Sequence, residues 1–128
     1  MKTAYSTDYV PPAPVLRVHL AEPTVSPRVG PMPALIDTGS DATFVPTALL
    51  EKLDVPVIYA TGVRSHLGDS VRRVLVYKVD ILIKTLRLSS IEVVGDDWGN
   101  EIIIGRNALN KMRLVLEGPK QVTELDLR

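Results

Sequence analysis

Asp37 is the residue of this sequence that is best placed for acid–base chemistry. It follows the apolar run at residues 33–36 and begins the tetrapeptide Asp-Thr-Gly-Ser, after which residues 42–45 are again mainly apolar. A carboxyl group between two apolar runs is partly removed from water, and such groups serve as general acids and bases in enzymes. Asp-Thr-Gly alone also occurs in ordinary turns, so the assignment needs a second signal elsewhere in the chain.

The chain offers little for other kinds of catalysis. It has no cysteine, which excludes a disulfide framework, a thiolate nucleophile and a cysteine-based metal site. Its two histidines, His19 and His66, fall in a predicted strand and a predicted loop, and neither has a second histidine near it in the sequence. We expect both to be structural or solvated, and we expect no metal ion and no cofactor.

Charge and composition exclude several classes of partner. Fifteen Lys and Arg residues balance fifteen Asp and Glu residues, and no block of like charge marks a surface for nucleic acid or membrane. The chain is 45% apolar, as folded globular proteins are, and its 128 residues suit one domain. No apolar segment is long enough for a signal-peptide core or a membrane span. We therefore expect a cytoplasmic protein that binds neither nucleic acid nor membrane.

The elements that surround Asp37 are predicted to be mostly strands. Runs rich in Val, Ile, Leu and Tyr, bounded by Gly and Pro, are typical of strands. The predicted strands cover residues 15–20, 33–36, 42–45, 57–60, 71–83, 86–94, 102–104, 113–117 and 121–127. The polar interval 61–70 is then the end of a long hairpin, and the proline-rich stretch 22–33 is a loop.

Two short helices and a terminal arm complete the prediction. Pro46 can begin a helix whose leucines share one face over residues 47–53, and residues 107–112 predict a second helix. Residues 1–14 carry three prolines and predict a flexible N-terminal arm, so the domain itself spans residues 15–128. The expected fold class is mostly all-β, with one or two short helices.

Two separated motifs resemble the retropepsin-like aspartic proteases, the family of retroviral and related single-domain acid proteases. The first motif is Leu35-Ile36-Asp37-Thr38-Gly39-Ser40-Asp41-Ala42-Thr43, and the second is Ile102-Ile103-Ile104-Gly105-Arg106-Asn107. In that family the first motif forms the active-site turn, and the second supports it from a neighbouring strand before a short helix. The hairpin between the motifs falls where the family has its flap. The resemblance therefore implies a closed acid-protease-like β-barrel with a flap hairpin.

The resemblance also implies how Asp37 would work. The chain has half the size of a two-lobed acid protease and only one Asp-Thr-Gly element, so two copies would form a two-fold homodimer with one Asp37 each. Two carboxyl groups a few ångströms apart cannot both ionise, so they share one proton. The ionised group would activate a water, and the protonated group would donate to the scissile carbonyl. The implied activity is an aspartic endopeptidase acting on extended peptide or protein substrates, with apolar residues preferred near the cleaved bond.

Other residues of the motifs take their roles from the same resemblance. Thr38 would hydrogen-bond across the two-fold axis, and Gly39 would leave room for chain and substrate. Ser40 stands where some retroviral members have alanine, and its hydroxyl could donate to the catalytic carboxylate. Asp41 would hold the substrate backbone, or it would pair with Arg106 in a contact that only fixes the fold.

Further substrate contacts are implied in the flap and before the second motif. The flap would span residues 60–77, with its tip near 64–68. Trp98 and Ile103 would shape apolar subsites, while Ile103, one of three consecutive isoleucines, could equally be ordinary core. The residues implied to bind substrate are Ser40, Asp41, Ala42, Gly68, Trp98 and Ile103.

The dimer interface and the function both admit alternatives. Residues 121–127 could supply the interleaved strand by which retroviral relatives dimerise, although the N-terminal arm is longer here than in those relatives. The main rival to a protease is a catalytically weak dimeric binding or assembly module that keeps the fold. A third reading is a protease whose residues 1–14 fold over the cleft until they are removed.

Overall fold

The computed structural model describes residues 1–64 and 70–128. Over these ranges the chain forms ten strands and two α-helices. The strands are β1 (Lys2–Ala4), β2 (Val15–Ala21), β3 (Val29–Ile36), β4 (Thr43–Pro46), β5 (Val57–Arg64), β6 (Val71–Ile83), β7 (Leu86–Asp96), β8 (Ile102–Ile104), β9 (Leu114–Glu117) and β10 (Val122–Leu125). The helices are α1 (Thr47–Leu53) and α2 (Arg106–Leu109), and a 3₁₀ turn covers Gly118–Lys120. The prediction of a mostly β chain with two short helices is confirmed.

Six of the strands close into a barrel. Their order is β2-β3-β8-β4-β7-β6, and pairing of β6 with β2 closes the ring. β3 runs parallel to β8 and β4 runs parallel to β7, whereas the other neighbours in the ring are antiparallel. The closed barrel that the resemblance implies is confirmed.

The interior of the barrel is filled by alternate side chains of its strands. In β2, Leu16, Val18 and Leu20 are fully buried, whereas Arg17 between them is exposed. Side chains alternate between the two faces of a strand, so every second residue reaches the core. Burial of each such side chain stabilises the fold by roughly 1.5–3 kcal/mol. A slip of the strand by one residue would expose this whole set, and the core therefore fixes the register.

Both helices lie where the sequence predicts them, with one difference in length. α1 has the predicted bounds and buries Leu50 and Leu53. α2 is shorter than the predicted helix because Lys111 and Met112 donate to carbonyls three residues back, the tightened pattern of a 3₁₀ end. In the part of the chain that the structure describes, no helix has the length and apolar character needed to cross a membrane.

The predicted loop over residues 22–33 is wrong in its second half. β3 begins at Val29, and both Pro31 and Pro33 lie inside it. β8 pairs only with residues 34–36 of β3, so over the described residues the proline-containing half of β3 has one unpaired side. A strand with an open side accommodates residues that lack an N–H. The prolines therefore mark a one-sided strand and not a loop.

A two-stranded ribbon extends from the barrel. β7 pairs with β6 from Val76 onward, so among the described residues 71–75 of β6 pair with β5 alone. We call residues 60–64 and 71–75 the ribbon, and most of their described side chains are exposed. The polar interval predicted at 61–70 is shorter than expected because β5 continues into it. Residues 65–69 lie outside the described residues.

Both chain ends join a second, three-stranded sheet, which we call the terminal sheet. Its order is β1-β10-β9, and both pairs are antiparallel. The segment 1–14, expected as an arm separate from the domain, thus begins as a paired strand, and Met1 exchanges hydrogen bonds of 2.8 and 2.9 Å with Leu125. The predicted strand 121–127 is shorter and lies in the middle of the sheet. β10 therefore has no free edge for the interleaving that the resemblance suggests.

The rest of the N-terminal segment returns to the barrel near β8. Ser6 and Ala13 form an antiparallel bridge, and the Tyr9 hydroxyl between them donates to Glu101 Oε2 over 3.3 Å. Partial burial, together with the neighbouring Glu101 carboxylate, raises the pKa of Tyr9. The Pro14 carbonyl then accepts the Ile36 N–H over 3.1 Å. This segment therefore contacts β3 immediately before Asp37.

Asp80 is a buried carboxylate of β6 that joins the loop after β2 to strand β7. It is 1% exposed and accepts hydrogen bonds from the Ser90 N–H (2.7 Å), the Thr24 N–H (3.0 Å) and the Arg87 guanidinium (2.6 Å). Burial alone would raise the pKa of Asp80, but the three donors and the charge of Arg87 outweigh it and hold that pKa below its usual value. The fold therefore favours the ionised form.

We expect Asp80→Asn to lower the free energy of unfolding near pH 7 by about 3 kcal/mol, because buried donors and Arg87 lose a charged acceptor. Since the folded-state pKa is lowered, this contribution is complete above the unfolded-state pKa of about 3.9 and is lost as the pH falls through the folded-state value. Urea unfolding at about pH 7 and about pH 3 should show the gap between wild type and variant narrowing in acid. Asp8→Asn, at an exposed turn, is the control; a gap that is independent of pH would contradict this role for Asp80.

Candidate active site

Asp37 stands at the end of β3, in the turn that leads to β4. Its N–H donates to the Ile104 carbonyl of β8 over 3.0 Å, and its carbonyl accepts the Ser40 N–H over 3.2 Å. The Gly39 N–H donates to Asp37 Oδ1 over 2.9 Å. The carboxylate is half-buried, and among the groups that the structure describes only the Gly39 N–H hydrogen-bonds it. Backbone bonds thus fix the turn, while Oδ2 is left without a partner there.

The second motif holds this turn from the neighbouring strand. β8 lies between β3 and β4 and pairs with both. At its end the Arg106 N–H donates to the Ser40 carbonyl over 2.8 Å, and the Arg106 guanidinium donates to the Thr38 carbonyl over 2.9 Å. Of the two roles left open for Asp41, the ion pair with Arg106 is wrong, since the two described side chains form no such pair. The guanidinium instead hydrogen-bonds the backbone of the turn and stabilises it.

Two glycines let the turn approach its neighbours closely. A Cβ added at Gly105 would lie 2.0 Å from the Ala42 carbonyl oxygen, which is far too close for a carbon and an oxygen that are not bonded to each other. A Cβ added at Gly39 would lie 3.2 Å from Asp37 Oδ1, the atom to which the Gly39 N–H donates. Glycine at both positions therefore keeps the motifs in contact and the carboxylate in place.

The role expected for the Ser40 hydroxyl is wrong. It donates to the Ala42 carbonyl over 2.7 Å. A hydroxyl has a single hydrogen to donate, so Ser40 does not donate to Asp37 in this structure. Ser40 therefore stabilises the backbone of the turn and leaves the Asp37 carboxylate to other donors.

A chain of hydrogen bonds to which the sequence analysis gave no role joins both motifs to β7. Thr43 is fully buried; its hydroxyl accepts the Gly105 N–H over 3.1 Å and donates to Asn107 Oδ1 over 2.7 Å. Asn107 Nδ2 donates in turn to the Glu92 carbonyl over 2.8 Å. Thr43 and Asn107 are the last residues of the two motifs, and this position was the only signal of their role in the sequence.

A groove of about 500 Å³ lies between the turn and the ribbon, and we call it the first groove. Asp41 and Ala42 line one part of it, and ribbon residues line another. Glu92 also lines it, and the hydrogen bond that Glu92 accepts from the Tyr59 hydroxyl over 3.1 Å raises the pKa of Tyr59. Two of the residues expected to bind substrate, Asp41 and Ala42, are thus brought together in a cleft.

Ile103 belongs to an apolar row outside the core. It is in register with Leu35 of β3 and Phe44 of β4, and residues in register share a face of the sheet. All three side chains are half-buried, whereas Ile102 and Ile104 on the opposite face fill the core. This excludes the reading of Ile103 as ordinary core. Leu35 and Phe44 were not predicted as site residues, because both lie in mainly apolar runs that do not show which face each side chain occupies.

The chain matches no protein-family model and no curated protein. The resemblance to the acid proteases therefore rests on the two motifs of the sequence. The contacts between these motifs are what the structure adds to that resemblance.

Trp98 lies apart from Asp41 and Ala42, on a second groove of about 170 Å³. Phe44 of the apolar row lines the same groove. The Trp98 side chain is 79% exposed, and the Arg72 guanidinium of the ribbon lies 5.2 Å from its ring centroid, within range of a cation–π contact. The sequence analysis missed Arg72, because a contact between a hairpin and a distant loop leaves no local pattern.

The remaining expectations concern the flap tip, the arm and metal binding. Gly68, His66 and the tip expected near 64–68 fall at or beyond the edge of the described residues. No residue of the N-terminal segment 1–14 lines either groove. Within the ranges that the structure describes, no group of three or more His, Asp or Glu side chains is arranged to hold a metal ion.

Proposed function

We propose that the protein is an aspartic endopeptidase that works as a homodimer, in which each copy supplies one Asp37. The observation that carries the proposal is the way the second motif fixes the Asp37 turn. Ile104, Ser40 and Arg106 hold its backbone, whereas the carboxylate remains half-exposed with one oxygen unpartnered among the described residues. A rigid turn that presents a carboxylate at the surface is suited to catalysis, because the reacting group is held in position before substrate binds.

The proposed chemistry needs only the two carboxyl groups and a water. Brought together about a two-fold axis, they share one proton, since both cannot ionise at such a distance. The ionised Asp37 takes a proton from the water as it attacks the scissile carbonyl, and the protonated Asp37 donates to the carbonyl oxygen. The roles then exchange to protonate the leaving amine. The Gly39 N–H, which donates to Oδ1, orients each carboxylate for these steps.

The proposed substrate is an extended peptide. The first groove runs between Asp41 and Ala42 of the turn and the ribbon, which acts as the flap in this proposal. The apolar row of Leu35, Phe44 and Ile103 lies on the strands that flank the turn, and we assign it the apolar side chains near the cleaved bond. The exposed Thr38 is the residue through which the two turns meet.

The test is to follow cleavage of a denatured protein mixture between about pH 3 and pH 7 while the enzyme is diluted. We expect cleavage that is favoured in acid, and we expect the activity per chain to fall on dilution because a monomer holds only half of the dyad. Activity per chain that stays constant down to concentrations at which sedimentation shows only monomers would contradict a shared site. A folded dimer that cleaves nothing at any of these pH values would favour the binding-module alternative.

A further inference from the structure

β9 is the outer strand of the terminal sheet, and its second edge is open. Within the described residues β9 pairs with β10 only. Val115 is 43% exposed and Leu116 is 42% exposed, although they occupy consecutive positions on opposite faces of the strand. An edge strand with apolar side chains on both faces is a ready template for a further strand.

The backbone hydrogen bonds show which groups of β9 face the open edge. The Asp126 N–H donates to the Arg113 carbonyl over 3.1 Å, so residue 113 directs its polar groups toward β10. In an antiparallel pair these groups alternate in direction along the strand. Val115 and Glu117 therefore also face β10, while the N–H and carbonyl of Leu114 and Leu116 face outward.

We propose that β9 pairs in antiparallel fashion with β9 of a second copy. The two-fold axis passes midway between Val115 of one copy and Val115 of the other. The inference rests on the proposed function, because a catalytic pair of Asp37 carboxylates is incomplete without a second copy. It replaces the interleaved contact first expected, since β10 has both of its edges occupied within one chain.

The register follows from the two faces of β9. A two-fold axis perpendicular to the sheet keeps each face on its own side, so paired residues must belong to the same face. With the axis between the two copies of Val115, Leu114 lies opposite Leu116 of the second copy. These are the residues whose N–H and carbonyl groups face outward, and the two symmetric pairs exchange about four backbone hydrogen bonds. Moving the second copy by two residues along β9, in either direction, reduces the number of these backbone hydrogen bonds.

Charge complementarity supports the same register. Arg113 and Val115 lie on one face and line one surface groove, and Glu117 follows on that face. In the proposed pairing Arg113 lies opposite Glu117 of the second copy, and symmetry repeats the pair. β1, the other outer strand, exposes Lys2 and Ala4, so a copy seated there would cover little apolar surface.

The terminal sheet is also connected to the catalytic turn. β1 leads through the N-terminal segment to Pro14, whose carbonyl accepts the Ile36 N–H directly before Asp37. A dimer joined at the terminal sheet is therefore connected, through this segment, to the backbone that carries the carboxylate.

Leu116→Pro is the first test, because it removes an N–H that β9 does not use in its pairing with β10. Sedimentation at several concentrations should show a wild-type dimer and a dissociation constant raised by roughly a hundredfold or more in the variant. Ala4→Pro makes the same change at an outward-facing position of β1 and should leave dimerisation unchanged. Circular dichroism and thermal unfolding check that both variants fold.

A charge exchange tests the register with surface residues alone. Arg113→Glu and Glu117→Arg should each weaken the dimer roughly tenfold, and the double variant should recover most of the loss. Absence of recovery, or a dimer indifferent to Leu116→Pro, would overturn this interface. Cleavage by such a dimer would still support the proposed function, whereas a β9-dependent dimer that cleaves nothing would leave the interface standing without the protease. Asp37→Asn should dimerise like wild type, which separates assembly from chemistry.

Discussion

Asp37→Asn is expected to abolish peptide cleavage, lowering kcat/KM by at least about a thousand-fold, since a general acid–base pair that loses its titrating group loses most of its rate advantage. Asparagine has nearly the shape of aspartate, and its Oδ1 can still accept the Gly39 N–H that now bonds the carboxylate. It cannot take a proton from water or share one with a second carboxyl group. Rates on a denatured protein substrate in mild acid, with circular dichroism as a check of folding, measure the effect.

Asp54→Asn is the matched control for this substitution. Asp54 is exposed at the end of α1 with a left-handed φ of 57°, a conformation that asparagine adopts readily. The control should keep wild-type activity. A variant Asp37→Asn that cleaves as fast as the control would refute the role of this carboxylate.

Mixing the two proteins adds a test of the shared site. When wild type is allowed to exchange with an equal amount of Asp37→Asn, only wild-type pairs hold two carboxyl groups. Its activity should then fall to roughly half of what the same amount of wild type shows alone, because half of its chains enter mixed dimers. Undiminished activity after exchange would show that one chain suffices.

Most strands of the barrel could be predicted from the sequence because their signals are local, whereas the closure of the barrel was implied by the resemblance. Period-two alternation gives β2 its buried face, and Pro46 with the leucines after it gives α1 its bounds. The strand β3 was half missed because the effect of Pro31 and Pro33 depends on whether a neighbouring strand covers that side. Whether a neighbouring strand covers that side depends on the topology of the whole sheet and cannot be predicted from the sequence of the strand alone.

The candidate site was predictable in its backbone and less so in its side chains. The resemblance carried by the two motifs implied a turn held by a neighbouring strand. The acceptor of the Ser40 hydroxyl depends on the path of the turn, which places the Ala42 carbonyl within its reach. Arg106 likewise bonds the Thr38 carbonyl and not Asp41. When two possible acceptors lie within a few ångströms of each other, the backbone dihedral angles decide which one is bonded. Residue types alone predict these angles poorly.

The terminal sheet was the least predictable part of the fold. Pairing between β1 and β10 joins the two ends of the chain, and no local pattern carries a contact of that separation. The prolines of residues 1–14 indicated an arm, yet they fall after β1 and leave its pairing intact. Without this pairing β10 would have a free edge, and the proposed contact through β9 depends on the absence of that edge.

Gly105→Ala is expected to damage both stability and activity. The added methyl group would lie 2.0 Å from the Ala42 carbonyl oxygen and 2.9 Å from that of Ser40, so the turn must move away from β8. That movement strains the bonds of the Gly105 N–H to Thr43 and of the Arg106 N–H to Ser40. We expect the free energy of unfolding to fall by about 2–3 kcal/mol, as for other overpacked sites. Urea unfolding measures this loss.

The activity of Gly105→Ala distinguishes a catalytic turn from a merely structural one. Under conditions in which the variant is still folded, a displaced Asp37 should cost roughly a hundredfold in kcat, since small misplacements of reacting groups have effects of this size. Gly118→Ala is the matched control, because its added Cβ meets no atom within 4 Å. If the folded variant kept wild-type kcat while losing stability, the contact between β8 and the turn would serve the fold alone. A joint loss ties the position of Asp37 to the second motif, which is the relation on which the assignment of a protease depends.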